Sequence, residues 1–177
     1  MKFIFFLLVA FQMHSQSVWS NFSSVDPEFS VEIPGKVQRK DRIVKTDLGE
    51  FNIITYFSVS SPDSTENHLY LINYFEISED LFVGDSAVSR EEFLSTMVDN
   101  IKDDLKTREI YRNSFSDPEA PCIIYRFEND QNSGAMKGKV MIRDKYLFSL
   151  QVFTKKQYAL NKNMDRFINS FYVKGLK

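Results

Sequence analysis

"SREEFLSTMVDNIKDDLK", residues Ser89–Lys106, decides the fold, because its apolar period is helical while the segments on both sides of it read as strands. Leu94, Val98, Ile101 and Leu105 recur along one side, and Asp99, Asp103 and Lys106 turn toward water. Ser89, followed three residues later by Glu92, is a capping box, in which hydroxyl and carboxylate satisfy amide donors that a helix start leaves unpaired. The spacing predicts an amphipathic helix over 89–106.

Working outward, the period drops to two. Upstream, "HLYLINYFE" sets Leu69, Leu71 and Phe75 against Tyr70, Ile72 and Tyr74, and this two-sided apolar content marks a central strand. The run "SSPDSTEN", Ser60–Asn67, is dense in turn formers and connects it to "EFNIITYFSV", where Phe51, Ile53, Thr55 and Phe57 share one face and Ile54 and Tyr56 the other. Asp47-Leu48-Gly49 turns that strand back into the more polar "KVQRKDRIVKT". Downstream, "REIYRNSF", "CIIYRFEN", "GKVMIRD" and "YLFSLQVF" read as four more strands, the last two joined at Asp144-Lys145, since Asp tolerates left-handed backbone angles. Leu160, Met164, Phe167, Ile168 and Phe171 then mark a second helix. Strands in hairpin-sized groups, interrupted by single helices, predict an α+β domain with a largely antiparallel sheet. Because several strands are apolar on both sides, one helix is expected against each face, an α/β/α sandwich.

The domain is read as a single unit over 29–177, opening at "FSVEIPGK", where Phe29, Val31 and Ile33 alternate with Ser30 and Glu32 until Pro34-Gly35. Residues 18–28 carry no steady period and read as an N-terminal extension. Residues 1–17 read as a secretory signal peptide: Lys2 is the positive n-region, Phe3–Phe11 the apolar core, and Ser15-Gln16-Ser17 the small-residue cleavage site. The apolar run stops at Gln12, short of the roughly 20 residues a membrane span requires. A lipoprotein needs a cysteine at the cleavage point, and the only cysteine is Cys122. The expectation is an unanchored protein, secreted or periplasmic, in a bacterial envelope setting. The Asn21-Phe22-Ser23 glycosylation triplet matters only in a eukaryotic secretory setting.

Cleavage after Ser17 leaves 160 of the 177 residues, enough for one domain with one core. Without Lys2, 21 of the 22 basic side chains face 24 acidic ones, a net charge of −3 with no long run of one sign, so no nucleic-acid footprint is expected. One cysteine makes no internal disulfide, and stability must come from packing.

"FSVEIPGK", the following "KTDLGEF", the single long capped helix and the closing "RFINSFYV" resemble uncharacterised secreted bacterial proteins of the PsbP-like fold. The resemblance covers most of Phe29–Val173 and implies an antiparallel sheet sandwiched by helices, as in the photosystem II extrinsic subunit and a Ran-binding nuclear-transport factor. It implies action by partner binding without catalysis. No position here matches the metal-associated histidines or partner-binding residues of those relatives, so none of their functional residues is carried over.

No catalytic, cofactor-binding or metal-binding residue is assigned from sequence, and no cofactor is expected. After the signal, the sole histidine is His68, read as exposed or structurally satisfied because it lacks motif partners. Cys122 opens an apolar strand and is read as a buried, inert thiol. Asp99, Asp103 and Asp104, and Glu79, Asp80 and Asp85, match no calcium-loop spacing and read as solvated faces. Aromatic residues are in excess: thirteen Phe, eight Tyr and Trp19 remain beyond the signal. Most belong to the core, while Tyr56, Tyr70, Tyr74 and Tyr125 are the candidates for showing a polar tip at a groove. The leading functional expectation is an exported, noncatalytic interaction or accessory domain whose partner is another envelope or secreted protein. A carrier for a small apolar or aromatic ligand is the alternative, and an enzyme of unknown type the third reading.

Overall fold

The computed structural model describes residues 18–46, 49–60, 67–84, 87–131 and 133–174. The signal-peptide reading over 1–17, the Asp47-Leu48 turn, most of the Ser60–Asn67 connection and Asp85 lie outside the described residues. In chain order the elements are β1 (Trp19–Val25), β2 (Glu28–Pro34), β3 (Gln38–Thr46), β4 (Gly49–Val59), β5 (Asn67–Glu76), α1 (Arg90–Asp104), β6 (Arg108–Phe115), β7 (Cys122–Asn129), β8 (Gly134–Arg143), β9 (Tyr146–Lys155), α2 (Lys162–Ser170) and β10 (Tyr172–Val173), with a short 3₁₀ turn at Glu79–Phe82. All strand pairings are antiparallel. A seven-stranded sheet runs β3-β4-β5-β9-β8-β7-β6, and a separate three-stranded sheet runs β1-β2-β10.

The main sheet has α1 on one face. On the other face, α2 shares the cover with the small sheet. β2 sends Phe29, Val31 and Ile33 down onto Tyr56, Tyr70, Ile72 and Tyr74, and α2 adds Met164, Phe167 and Ile168 to the same cluster. Phe29 is its hub, with ring centroids 5.8 Å from Phe148 and 5.4 Å from Phe171. Each such aromatic or aliphatic side chain contributes about 1.5–3 kcal/mol by leaving water.

The sequence reading gives no strand to residues 18–28, yet β1 lies there and pairs with β2 from Trp19↔Pro34 to Val25↔Glu28. Its signal is weak because β1 is half-exposed on an outer layer and Ser and Asn occupy most of its positions. "FSVEIPGK" is a strand as expected, but of the small sheet. Gly35, at φ +75°, carries the chain from one sheet to the other. Leu160, expected on the second helix, is 87% exposed and precedes it, because Asn161 caps α2 by accepting the Met164 amide at 3.0 Å. Elsewhere the local signals hold. Ser89 Oγ accepts the Glu92 amide at 3.1 Å, and Asp144 sits at φ +52° in the β8–β9 turn. Among the described residues no helix is long and apolar enough to cross a membrane.

Candidate functional site

One helix cannot cover a seven-stranded face. Strands lie about 4.8 Å apart and a helix with its side chains is about 10 Å across, so α1 shields two or three of them. It lies on β6, β7 and β8. There Ile123, Tyr125, Phe127, Met136, Val140 and Ile142 are all 3% exposed or less. The same face continues over β5, β4 and β3, where no described element covers it. Phe51, Ile53 and Phe57 of β4 and Leu69, Leu71 and Phe75 of β5 are only half-buried, and Val59 is 60% exposed. Their neighbours on the opposite face, Tyr70, Ile72 and Tyr74, are 3% exposed or less.

The open floor has a polar row and a charged rim. Register places Thr55, Asn73 and Ser149 side by side across β4, β5 and β9. The Thr55 hydroxyl donates to Asn73 Oδ1 at 2.7 Å, and the Asn73 amide nitrogen donates to no described residue. Next to this row, the Tyr125 hydroxyl reaches toward Ser149 and Gln151 without a hydrogen bond of good geometry, and burial pushes its pKa up. Along the edge, Lys40 pairs with Thr55 and Arg42 with Ile53, so both cations project to the open face. Both are exposed, and neither has a carboxylate partner among the described residues.

α1 supplies a wall. Arg112 of β6 donates to Ser95 Oγ at 3.0 Å and to Asp99 Oδ1 at 2.7 Å, which fixes that flank of the helix toward the β6 edge. Helical periodicity puts Phe93, Met97 and Ile101, four residues apart, on the flank that faces β9 and β5. All three are half-buried against the core beneath α1, with Phe75 and Phe153 beside them on the sheet. The helix runs lengthwise along β5: Phe93 meets Phe82, which follows β5, and Leu105 approaches His68 at the beginning of β5. Floor and wall together form an apolar groove about 22 Å long at 1.5 Å per helical residue.

The groove closes at a cleft of about 350 Å³ lined by His68, Leu105, Phe127, Met136 and Phe153 among others. His68 reaches it through a β-bulge, because Asn67 pairs with Thr154 while Leu69 pairs with Phe153, leaving His68 as the extra residue. At the end of α1 the chain reverses in a Schellman turn, with Lys106 N–H bonded to Asp103 O and Thr107 N–H to Lys102 O. A hollow of about 470 Å³ on the outer face of the small sheet is lined largely by Asn21, Ser23, Ser30, Glu28 and Lys174, short or charged groups that suit water better than an apolar guest.

The candidate tyrosines do not form this site. Tyr56, Tyr70 and Tyr74 lie in the core under the small sheet, and Tyr125 lies under α1, so the tyrosine groove is corrected to core packing. His68 is half-buried at the cleft. Cys122 is half-buried rather than shielded, because β7 is one strand from the sheet edge; burial raises its thiol pKa, and the nearby Lys139 opposes that rise. Asp99 is engaged by Arg112 and Lys102, and Glu79 by Arg90. Among the described residues no group of three His, Cys, Asp or Glu side chains could hold a metal ion. The sequence reading missed Phe93 and Met97, whose presence outside the narrow Leu94–Val98 stripe is the signal that α1 has a second apolar neighbour.

No family model matches the chain, and neither does any curated protein. Among solved structures, a Pseudomonas aeruginosa protein of unknown function, described as a putative regulator, aligns at a TM-score of 0.35 and 9% identity over 78% of this chain and 84% of its own. Cyanobacterial PsbP from Synechocystis sp. PCC 6803 aligns at a TM-score of 0.61 and 11% identity, covering 94% of this chain and 99% of its own. Antiparallel sheets with two helices in this arrangement are a PsbP-like fold.

Proposed function

We propose that the protein is an exported, noncatalytic binding domain of the bacterial envelope, and that the groove between α1 and the β3–β5 half of the sheet receives a segment of another envelope or secreted protein. The observation that carries this reading is the row of half-buried Phe51, Ile53, Phe57, Leu69, Leu71 and Phe75 on a face whose other half is sealed. A docked helix would complete the helical layer beside α1 on that face. The signal-like N-terminus supports export, and the PsbP-like fold is compatible with an accessory role. Capture from the envelope fraction of the native host tests it. The natural sequence should recover a defined partner, and Leu71→Glu, which sets a carboxylate on the groove floor, should lose it. No reproducible partner, or a partner retained by Leu71→Glu, rules the reading out.

The cleft of about 350 Å³ favours a second reading, a carrier for a small apolar ligand, because ligand sites begin at about 300 Å³. Native mass spectrometry of protein purified from the host should then show a bound small molecule, and its absence rules that reading out.

A further inference from the structure

We infer that the groove is built for one acidic amphipathic helix, a partner segment with an apolar stripe flanked by carboxylates. This rests on the partner-binding reading and specifies the partner's chemistry. Three observations carry it. The uncovered strands β3, β4 and β5 span about 10 Å between the outer two, the width of one helix, and α1 already stands as a wall of matching length beside that slot. The rim opposite the wall presents Lys40 and Arg42 on the open face with no carboxylate against them among the described residues, and the described wall carries Asp104 at its far end. Apolar floor and cationic rim together select an apolar helix that carries Asp or Glu toward β3. The polar row at Thr55, Asn73 and Ser149 adds a place for one hydrogen-bond acceptor in the middle of the stripe, since the Asn73 amide nitrogen is unclaimed among the described residues.

Other occupants fit less well. A bilayer surface is flat and cannot reach a floor recessed beside a helix about 10 Å thick. A second copy of this chain has no spare apolar helix among the described residues, because α1 and α2 already bury Leu94, Val98, Met164, Phe167 and Ile168 in their own cores.

Two synthetic peptides test the inference, each a helix of about 15 residues with the same leucine stripe, one flanked by glutamates and the other by lysines. By fluorescence anisotropy the acidic peptide should bind at least about tenfold more tightly than the basic one at low salt, and Lys40→Glu/Arg42→Glu should abolish or invert that preference. Both substitutions sit on an exposed edge, so an unchanged thermal melt separates lost binding from lost folding. Equal binding of the two peptides, preference for the basic one, no binding of either, a preference that survives the double substitution, or binding to anionic phospholipid vesicles in place of the peptides overturns the inference. Leu71→Glu distinguishes the two levels. If it abolishes capture of the host partner while Lys40→Glu/Arg42→Glu does not weaken that capture, the groove binds a partner but not an acidic one.

Discussion

The two halves of the sheet face beneath α1 are built from similar side chains and end in opposite states. Over β7 and β8, Tyr125, Phe127, Val140 and Ile142 are sealed; over β4 and β5, Phe51, Ile53, Leu69 and Leu71 are only half-buried. Strand composition does not distinguish them. What differs is cover, and among the described residues α1 is the helix that lies on this face. The other face of the sheet shows the same rule solved differently, since β1, β2 and β10 take the place of a second helix there. The apolar strip that α1 leaves uncovered is the surface on which the proposed partner would dock.

Truncation measures that difference most strongly. Leu94→Ala removes a fully buried side chain between α1 and β7/β8 and should cost about 3 kcal/mol in urea unfolding, whereas Leu71→Ala, on the open floor, should cost about 1 kcal/mol or less. Equal losses would mean that the open half is covered in solution. Next comes Gly138, which lies opposite Tyr125 across β7 and β8. A Cβ there would stand 2.3 Å from the Tyr125 ring, so the glycine is what lets the ring lie flat across the strand. Gly138→Ala should cost about 2–3 kcal/mol by overpacking. Tyr125→Leu in the same chain should recover part of it, and a silent Gly138→Ala would show that the covered half is looser than its burial implies.

Much of this was legible in the residues and some of it was not. The capping serine, the alternation in β4 and β5 and the Asp144 turn are local signals, and each matched its element because neighbours within four residues determine it. The assignment of Phe51, Ile53, Thr55 and Phe57 to one face was likewise correct. That this face is open was not readable, since it depends on which strands α1 crosses, a matter of strand order between segments far apart in sequence. β1 and the two-residue β10 escaped because neither buries enough of its own surface to carry a period. The tyrosines misled for the same reason: their hydroxyls suggested an exposed tip, but long-range layering by β2 and α1 decides burial.

At the junction of wall and cleft, Lys106 adopts φ +51° in the Schellman turn, a conformation that costs a non-glycine residue about 1 kcal/mol. Lys106→Gly should therefore raise stability by about 1 kcal/mol less the glycine's added unfolded-state freedom, with α1 and the groove unchanged. A loss of more than about 1 kcal/mol, beyond what the glycine's unfolded-state freedom explains, would assign the Lys106 side chain a contact worth more than the strain.

The smallest effect lies on the polar flank of α1, which the comparison treats as closed. Arg112, 18% exposed at its side chain, ties Asp99 to β6 and also bonds Glu109 at 2.7 Å. The hydrogen bond from Arg112 holds the Asp99 carboxyl below its ordinary 3.8, against partial desolvation and with help from Lys102. A carboxylate with a lowered folded-state pKa adds stability above the unfolded value, and that contribution is lost as pH falls through the folded value. Because Asp99 is 47% exposed at its side chain, solvent screens most of the pair, and Asp99→Asn should cost only about 0.5 kcal/mol at neutral pH. The difference between the two proteins should shrink below pH 3.8 and in high salt. Urea midpoints near pH 7 and about pH 3 decide it, and a cost that persists in acid would mean that Asp99 acts through packing and not through charge. Anisotropy with the acidic peptide adds the sharper test, because a flank turned toward β6 should leave groove affinity unchanged when Asp99 is replaced.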